Sequence, residues 1–344
     1  MDNDDEISWE TTTISNFGLD ATFLGGKLST SIEYFDKTTE DVLRPVGIPS
    51  QVGSLGGPIR NIGTIENKGV EFALGHRNVL GDFSYDVSGN ITYITNKVVN
   101  LNGEIILDDF SSDGRGPFNI TEEGKPINQF YLYQADGLFQ SQEEIDSHAS
   151  QGADTQPGYI RFKDLDNNGV IDQNDRMADG NTIPKYTYSF NIKLAYKNLS
   201  LNTFWQGVGD VQTYNKHVSG VPFWFGTSLP EGYANDSWTP DNRDASFPII
   251  TRYQDTQNTL YRDSDYWLLD ASYLRLKNIQ LTYDFKPELL NKIGLNRLSI
   301  FCNAQNLLTF TSLKDFDPET ELLGNDFFNY PSTKIYTLGF NLSF

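Results

Sequence analysis

Residues 82–96 read DFSYDVSGNITYITN, and their reading decides the fold. Phe83, Tyr85, Val87, Ile91 and Tyr93 fall on one face of an extended chain. Ser84, Asp86, Ser88, Asn90 and Thr92 fall on the other. Alternation with a period of two marks a strand with one apolar and one polar face. The pattern returns in YTYSFNIKLAYK (186–197), where Tyr186, Tyr188, Phe190, Ile192, Leu194 and Tyr196 share a face. It returns again in Phe17, Leu19, Ala21, Phe23, in Leu28, Thr30, Ile32, Tyr34, and in Val70, Phe72, Leu74. Ile279, Leu281, Tyr283, Phe285 and Tyr336, Leu338, Phe340, Leu342, Phe344 complete the set. Nine main strands are expected, over 15–24, 27–38, 68–78, 82–96, 186–197, 199–207, 273–285, 296–306 and 334–344.

Segment lengths point to a membrane. Most approach the roughly 9–11 residues that a tilted strand needs to cross a bilayer. No run approaches the roughly 18 apolar residues of a membrane helix, but barrel strands hide their apolarity in alternation. Connections alternate in length too: Gly25-Gly26, Val79 to Gly81 and Asn198 are tight, while 39–67, 97–185, 208–272 and 307–333 are long and 286–295 is shorter. Short turns at one end and long loops at the other are the layout of outer-membrane barrels. The expected fold is therefore all-β, part of a large antiparallel transmembrane β-barrel with long extracellular loops, 97–185 being a long extracellular insertion. With the tight turns in the periplasm, the first and last strands both run toward the periplasm. A single-chain barrel of even strand number has both ends on one side. An odd number of strands is thus expected upstream of Met1, which makes the sequence the C-terminal part of a larger barrel. A soluble β-sandwich also alternates, but long structureless loops are uncommon in compact soluble domains.

The net charge of -20, from 26 basic and 46 acidic residues, repels nucleic acid, so none is expected as a partner. Such acidity suits solvated loops and can recruit cations. Cys302 is the only cysteine, which excludes an intramolecular disulfide and a cysteine-based zinc site. The opening MDNDDEISWETTT lacks the basic and apolar regions of a signal peptide.

FKDLDNNGVIDQNDR (162–176) carries oxygen donors at the spacing of a calcium loop. Such loops use positions 1, 3, 5, 7, 9 and 12, the seventh through its backbone carbonyl, with Gly at position 6 for the sharp turn. Here these are Asp164, Asp166, Asn168, Val170, Asp172 and Asp175, with Gly169. Position 12 is Asp rather than Glu, and the shorter arm makes bidentate binding harder. The upstream YIRFK alternates as a strand, and the downstream MADGNTIPK is broken by Gly180 and Pro184. An EF-hand needs a helix on each side, so this is a local loop that holds Ca2+ as a structural staple, or an Asx-rich turn held by its own side chains.

Other motifs carry less. His76, His148 and His217 lack metal or triad spacing. GVGD (207–210) reads as a turn, and no nucleophile elbow or P-loop occurs. The loop 208–265 holds Phe223, Trp224, Phe225, Tyr233 and Trp238, which either contact a ligand or partner as aromatic anchors or pack on themselves.

The segments WETTTISNFGLDATFLGGKLSTSIEYFDKTTEDVL (9–43), NIGTIENKGVEFALG (61–75), EGKPINQFYLYQADGLFQSQEEI (123–145), GYIRFKDLDNNGVIDQNDR (158–176), SYLRLKNIQLTYDF (272–285) and YTLGFNLSF (336–344) are ordered along nearly the whole chain. Together they resemble the C-terminal barrel half of SusC/RagA-type TonB-dependent transporters of Bacteroidota outer membranes. The resemblance implies a barrel of roughly 22 strands and import of glycans or peptides with a SusD-like surface lipoprotein. It also implies coupling to the TonB complex through an N-terminal plug and TonB box, which have no counterpart in these residues. Phe344 matches the terminal aromatic of barrels recognised by the outer-membrane insertion machinery. No enzymatic activity is expected. The other readings are a soluble or surface-attached β domain that binds carbohydrate with a calcium-stabilised loop, and a secreted glycosidase.

Overall fold

All nine expected strands form, and the nine make one antiparallel sheet in chain order. They are β1 (Thr11–Phe23), β2 (Leu28–Glu40), β3 (Thr64–Leu80), β4 (Phe83–Asn100), β5 (Tyr186–Tyr196), β6 (Leu199–Gly209), β7 (Tyr273–Asp284), β8 (Arg297–Thr311) and β9 (Ile335–Ser343). The fold, taken from a computed structural model, is described for residues 7–45, 59–108, 118–214, 229, 231–251, 262–290, 294–313, 317–319 and 332–344. Among these, no helix is long and apolar enough to cross a membrane.

Several strands outrun the alternation that announced them. β3 begins at Thr64 and β4 ends at Asn100 because the backbone ladder continues where the side chains are polar on both faces, as in the pairs Glu66↔Lys97 and Asn67↔Asn96. The tight turns fall where expected. Leu24, Gly25 and Gly26 turn the chain between β1 and β2 at φ of 54, 65 and 87°, the left-handed region that Gly enters without steric cost.

Register carries the alternation across the sheet. One row reads Phe17, Tyr34, Val70, Tyr93, Tyr186 from β1 to β5. Another reads Tyr85, Leu194, Leu201, Leu281, Cys302, Leu338 from β4 to β9. Cys302 is thus an exposed member of the apolar face. The opposite face is polar: Ser31, Ala73, Asn90, Ser189 and Gln206 form one of its rows. A one-residue slip in any strand would exchange its two faces.

β7 contains such a slip and corrects it. Its apolar residues are Leu274 and Leu276, then Ile279 and Leu281, a change of phase visible in the sequence. A bulge absorbs the extra residue: Trp205 pairs with Leu276 and Phe204 with Asn278, leaving Lys277 between them. β8 compensates with its own irregularity, opposite Leu276 and Asn278. Arg275 and Lys277 then meet Glu319 of the β8–β9 connection. Arg275 Nη2 lies 2.6 Å from Asp317, Arg275 Nη1 lies 2.7 Å from Glu319, and Lys277 Nζ lies 2.6 Å from Glu319. Burial pushes the Asp317 carboxyl up, but Arg275 and the amides of Glu319 and Ser332 outweigh it and hold the group well below the usual carboxylate range.

The longest connections fold together over one end of the sheet. Ile106–Asp108, Asn119–Thr121, Gln129–Tyr133 and Arg176–Asp179 make a four-stranded sheet. Its core joins Phe118, Phe130 and Phe162 from one connection to Tyr214, Tyr233 and Trp267 from the other. These segments form a cap with a core of its own, separate from the large sheet.

Two outcomes are expected. Leu74→Arg, on the apolar face in the row that crosses mid-strand at Phe190 of β5, lowers stability in lipid vesicles by about 2–4 kcal/mol, while Gln280→Arg on the polar face changes it by about 0.5 kcal/mol or less; urea titration checks both. Arg275→Met leaves the buried Asp317 carboxylate without its cation, while Glu319 keeps Lys277, and costs about 3–5 kcal/mol. Because the folded Asp317 value lies below the unfolded one, this stabilisation is complete above a pH of about 4 and is lost as pH falls through the folded value. The wild-type minus variant difference is therefore flat from about pH 5 upward and shrinks only in stronger acid.

Candidate functional site

The calcium-type loop lies on the cap. It enters from the short strand Ile160–Phe162 and leaves through a 3-10 turn at Gln173–Asp175 into Arg176–Asp179. No helix flanks it, as its neighbours in sequence required. Asn167 and Gly169 adopt φ of 58 and 84°, and these left-handed residues bend the chain back on itself.

Side chains hold the bend. Asp164 accepts from the amides of Asn168 (3.2 Å) and Gly169 (2.9 Å). Asp166 accepts from the Asn168 amide (3.1 Å) and from Asn168 Nδ2 (3.0 Å). Asp175 is fully buried and accepts from the Leu165 and Asp172 amides, both at 2.7 Å. Asp164, Asp166 and Asp175 each offer an oxygen within 4.8 Å of the others. The rest of the predicted set is engaged locally: Asn168 Oδ1 accepts from the Val170 amide (2.7 Å), and Asp172 caps the 3-10 turn through the Asn174 amide (2.8 Å). Three hard oxygens converging on one point fit a calcium ion better than a softer metal.

A segment that the sequence did not single out ties this loop to the rest of the cap. Arg262 donates to the carbonyls of Ile171 (2.9 Å) and Gln151 (2.8 Å), with its guanidinium 5.2 Å from the Tyr133 ring centre. The next residue, Asp263, accepts from the Tyr133 amide through its carbonyl (3.0 Å) and from the Tyr214 hydroxyl (3.3 Å). Asp265 accepts from the Ala135 amide (2.7 Å), and burial raises its carboxyl pKa despite that bond. Residues 262–265 thus clamp both long connections just before the chain enters β7.

The aromatic residues of 208–265 divide. Of the two readings, contact or self-packing, Tyr233 and Trp238 follow the second: both are buried in the cap core and present no surface for a ligand or partner. Tyr233 stacks on Phe247 at 5.0 Å, and Trp238 Nε1 donates to Gln140 (3.0 Å) over Gly158, where a side chain would strike the indole. Burial of the rings, rather than display, is what the apolar surface of an aromatic favours. Phe223, Trp224 and Phe225 lie outside the described residues, as does His217. His76 bonds the Tyr85 hydroxyl (3.0 Å) and His148 the Ala149 carbonyl (2.9 Å). Phe344 follows β9 and is exposed.

Comparison with known proteins gives a consistent result. Residues 2–307 match the family model described as TonB dependent receptor-like, beta-barrel. The chain is 32% identical over 362 residues to TonB-dependent receptor P3 of Formosa agariphila, covering 99% of this chain and 35% of that protein. It is 27% identical over 352 residues to TonB-dependent receptor SusC of Bacteroides thetaiotaomicron, covering 99% and 32%. The fold is similar to the solved RagAB peptide transporter, with a TM-score of 0.78 at 24% identity, over 98% of this chain and 36% of that one. The chain thus spans about a third of the length of the relatives it matches.

Removing the buried carboxylate of the loop has a larger effect than removing an exposed one. With a chelator present, Asp175→Ala lowers cap stability by about 2–4 kcal/mol, since two amides lose their acceptor, and Asp166→Ala by about 1 kcal/mol. Denaturant titration followed by tryptophan fluorescence checks the difference.

Proposed function

This chain belongs to the TonB-dependent receptor β-barrel family, and from that premise we propose that it forms part of the wall of an importer of glycans or peptides in the outer membrane. The observation that carries the reading is the register of the apolar face. Its rows run unbroken from strand to strand, and an unpartnered apolar face of nine strands is matched by lipid rather than water. The polar face then lines the lumen. The tight turns face the periplasm, and the cap stands outside. The work is passage of a solute, with no bond made or broken, which sets aside the glycosidase and the soluble carbohydrate-binding domain.

Likeness to SusC and to RagAB supports a SusD-like lipoprotein over the mouth and energy coupling through TonB. Phe344, in phase with Phe340 and Leu342, serves as the terminal aromatic for barrel insertion. In the cap, Asp164, Asp166 and Asp175 hold Ca2+ as a structural staple, with Asn168, the Val170 carbonyl and Asp172 as the remaining ligands of the set. Convergence of three carboxylates, none of them in an ion pair among the described residues, supports a cation at that point.

Two measurements test this reading. Deleting the gene in the source cells abolishes uptake of one labelled class, oligosaccharide or peptide, and an uncoupler does the same in the wild type. Unchanged uptake of both classes would refute transport. For the ion, calcium added after chelation stabilises the cap by about 2.7 kcal/mol at a hundred times its Kd, and the double variant Asp164→Asn, Asp166→Asn loses that response.

A further inference from the structure

The polar face of the sheet changes charge along its strands. Glu33 on β2 pairs with Glu71 on β3 toward the cap end. The next rows toward the tight turns are small and neutral, as at Ala73↔Asn90 and Gly75↔Ser88. The row beyond them holds Arg77 on β3, Asp86 on β4 and Lys193 on β5, directly aligned by the ladder. Lys27, in the β1–β2 turn, adjoins the row: its carbonyl accepts from the Arg77 amide at 2.8 Å. These four side chains line one concavity of about 550 Å³.

Three cations share this concavity with a single carboxylate, in a chain whose net charge is -20. Among the described residues none of the four is in an ion pair, although Asp86 lies across a strand from both Arg77 and Lys193. The side-chain bond of Arg77 runs from Nε to the Gly26 carbonyl at 3.3 Å, and its two terminal nitrogens meet no acceptor among the described residues. Cations gathered in a concave wall without matching anions raise the local concentration of an anionic ligand. A guanidinium fork beside two ammonium groups suits a carboxylate held by Arg and screened by Lys.

We propose that Lys27, Arg77 and Lys193 form a binding site for the carboxylates of an anionic chain, at the tight-turn end of the lumen. The site rests on the reading of this face as a lumen wall. The chain has two possible sources, a transported acidic solute or an acidic stretch of polypeptide lying in the lumen.

Lysine acetylation rates in the native protein, extracted in detergent, test the site without reference to uptake. The probe is N-acetyl-triglutamate, with sodium chloride at equal ionic strength as control. At ten times its Kd the probe slows acetylation of Lys27 and Lys193 about tenfold by occupancy, and leaves Lys197 at the sheet end unchanged. Arg77→Gln raises the Kd about tenfold or more, so the same probe concentration slows acetylation about twofold or less. If a polypeptide fills the site, both lysines resist acetylation without probe, and a carbodiimide joins Lys193 or Lys27 to an Asp or Glu of that stretch. Arg77→Gln then restores their reactivity. Rates equal to that of Lys197 in every condition would overturn the proposal, whatever the uptake measurements give.

Discussion

Every amide and carbonyl in the membrane-facing sheet must find its partner inside the protein, because lipid offers none. That constraint governs the rest of the structure. It forces the chain into long antiparallel ladders, and the ladders force the two-residue period that sorts side chains into an apolar and a polar face. The nine strands satisfy one another except at the outer edges of β1 and β9. These two strands run in the same direction, so they could not close on each other with an antiparallel ladder.

The bulge at Lys277 shows how strictly the faces are kept. The extra residue would otherwise turn Ile279, Leu281 and Tyr283 toward the polar side. Instead the ladder breaks locally, and the break is put to use. Arg275 and Lys277 sit where the wall gives way to the β8–β9 connection, and Asp317 and Glu319 dock on them. A buried ion pair is weak evidence for net stability, since its desolvation offsets most of its attraction. Its consequence here is position: it fixes where that connection leaves the wall.

The cap obeys a different rule. Its strands are three to five residues long and would not hold alone, so it depends on burying aromatic rings contributed by two connections. The clamp at 262–265 joins those connections through backbone acceptors and one guanidinium. The calcium-type loop is fastened to the same clamp through Ile171. Its three convergent carboxylates are therefore tied into the cap rather than carried on a free loop.

The sequence by itself determined the nine strands, their facing and the places where the chain turns tightly. Period-two alternation over nine or more residues is a local signal, written in neighbours and readable without tertiary context. It also determined the bend at Asn167 to Gly169, since spacing within twelve residues is local too. The cap was legible only as an excess of length between strands. Pieces such as Asn119–Thr121 are too short to carry a period, and an aromatic residue looks the same in sequence whether displayed or buried, as Tyr233 and Trp238 show. Only the tertiary structure decided the clamp at Arg262 and the lock between Arg275 and Asp317, whose partners stand 91 and 42 positions away. Contacts at that separation leave no mark in composition or spacing, because they depend on where two distant backbones are brought together.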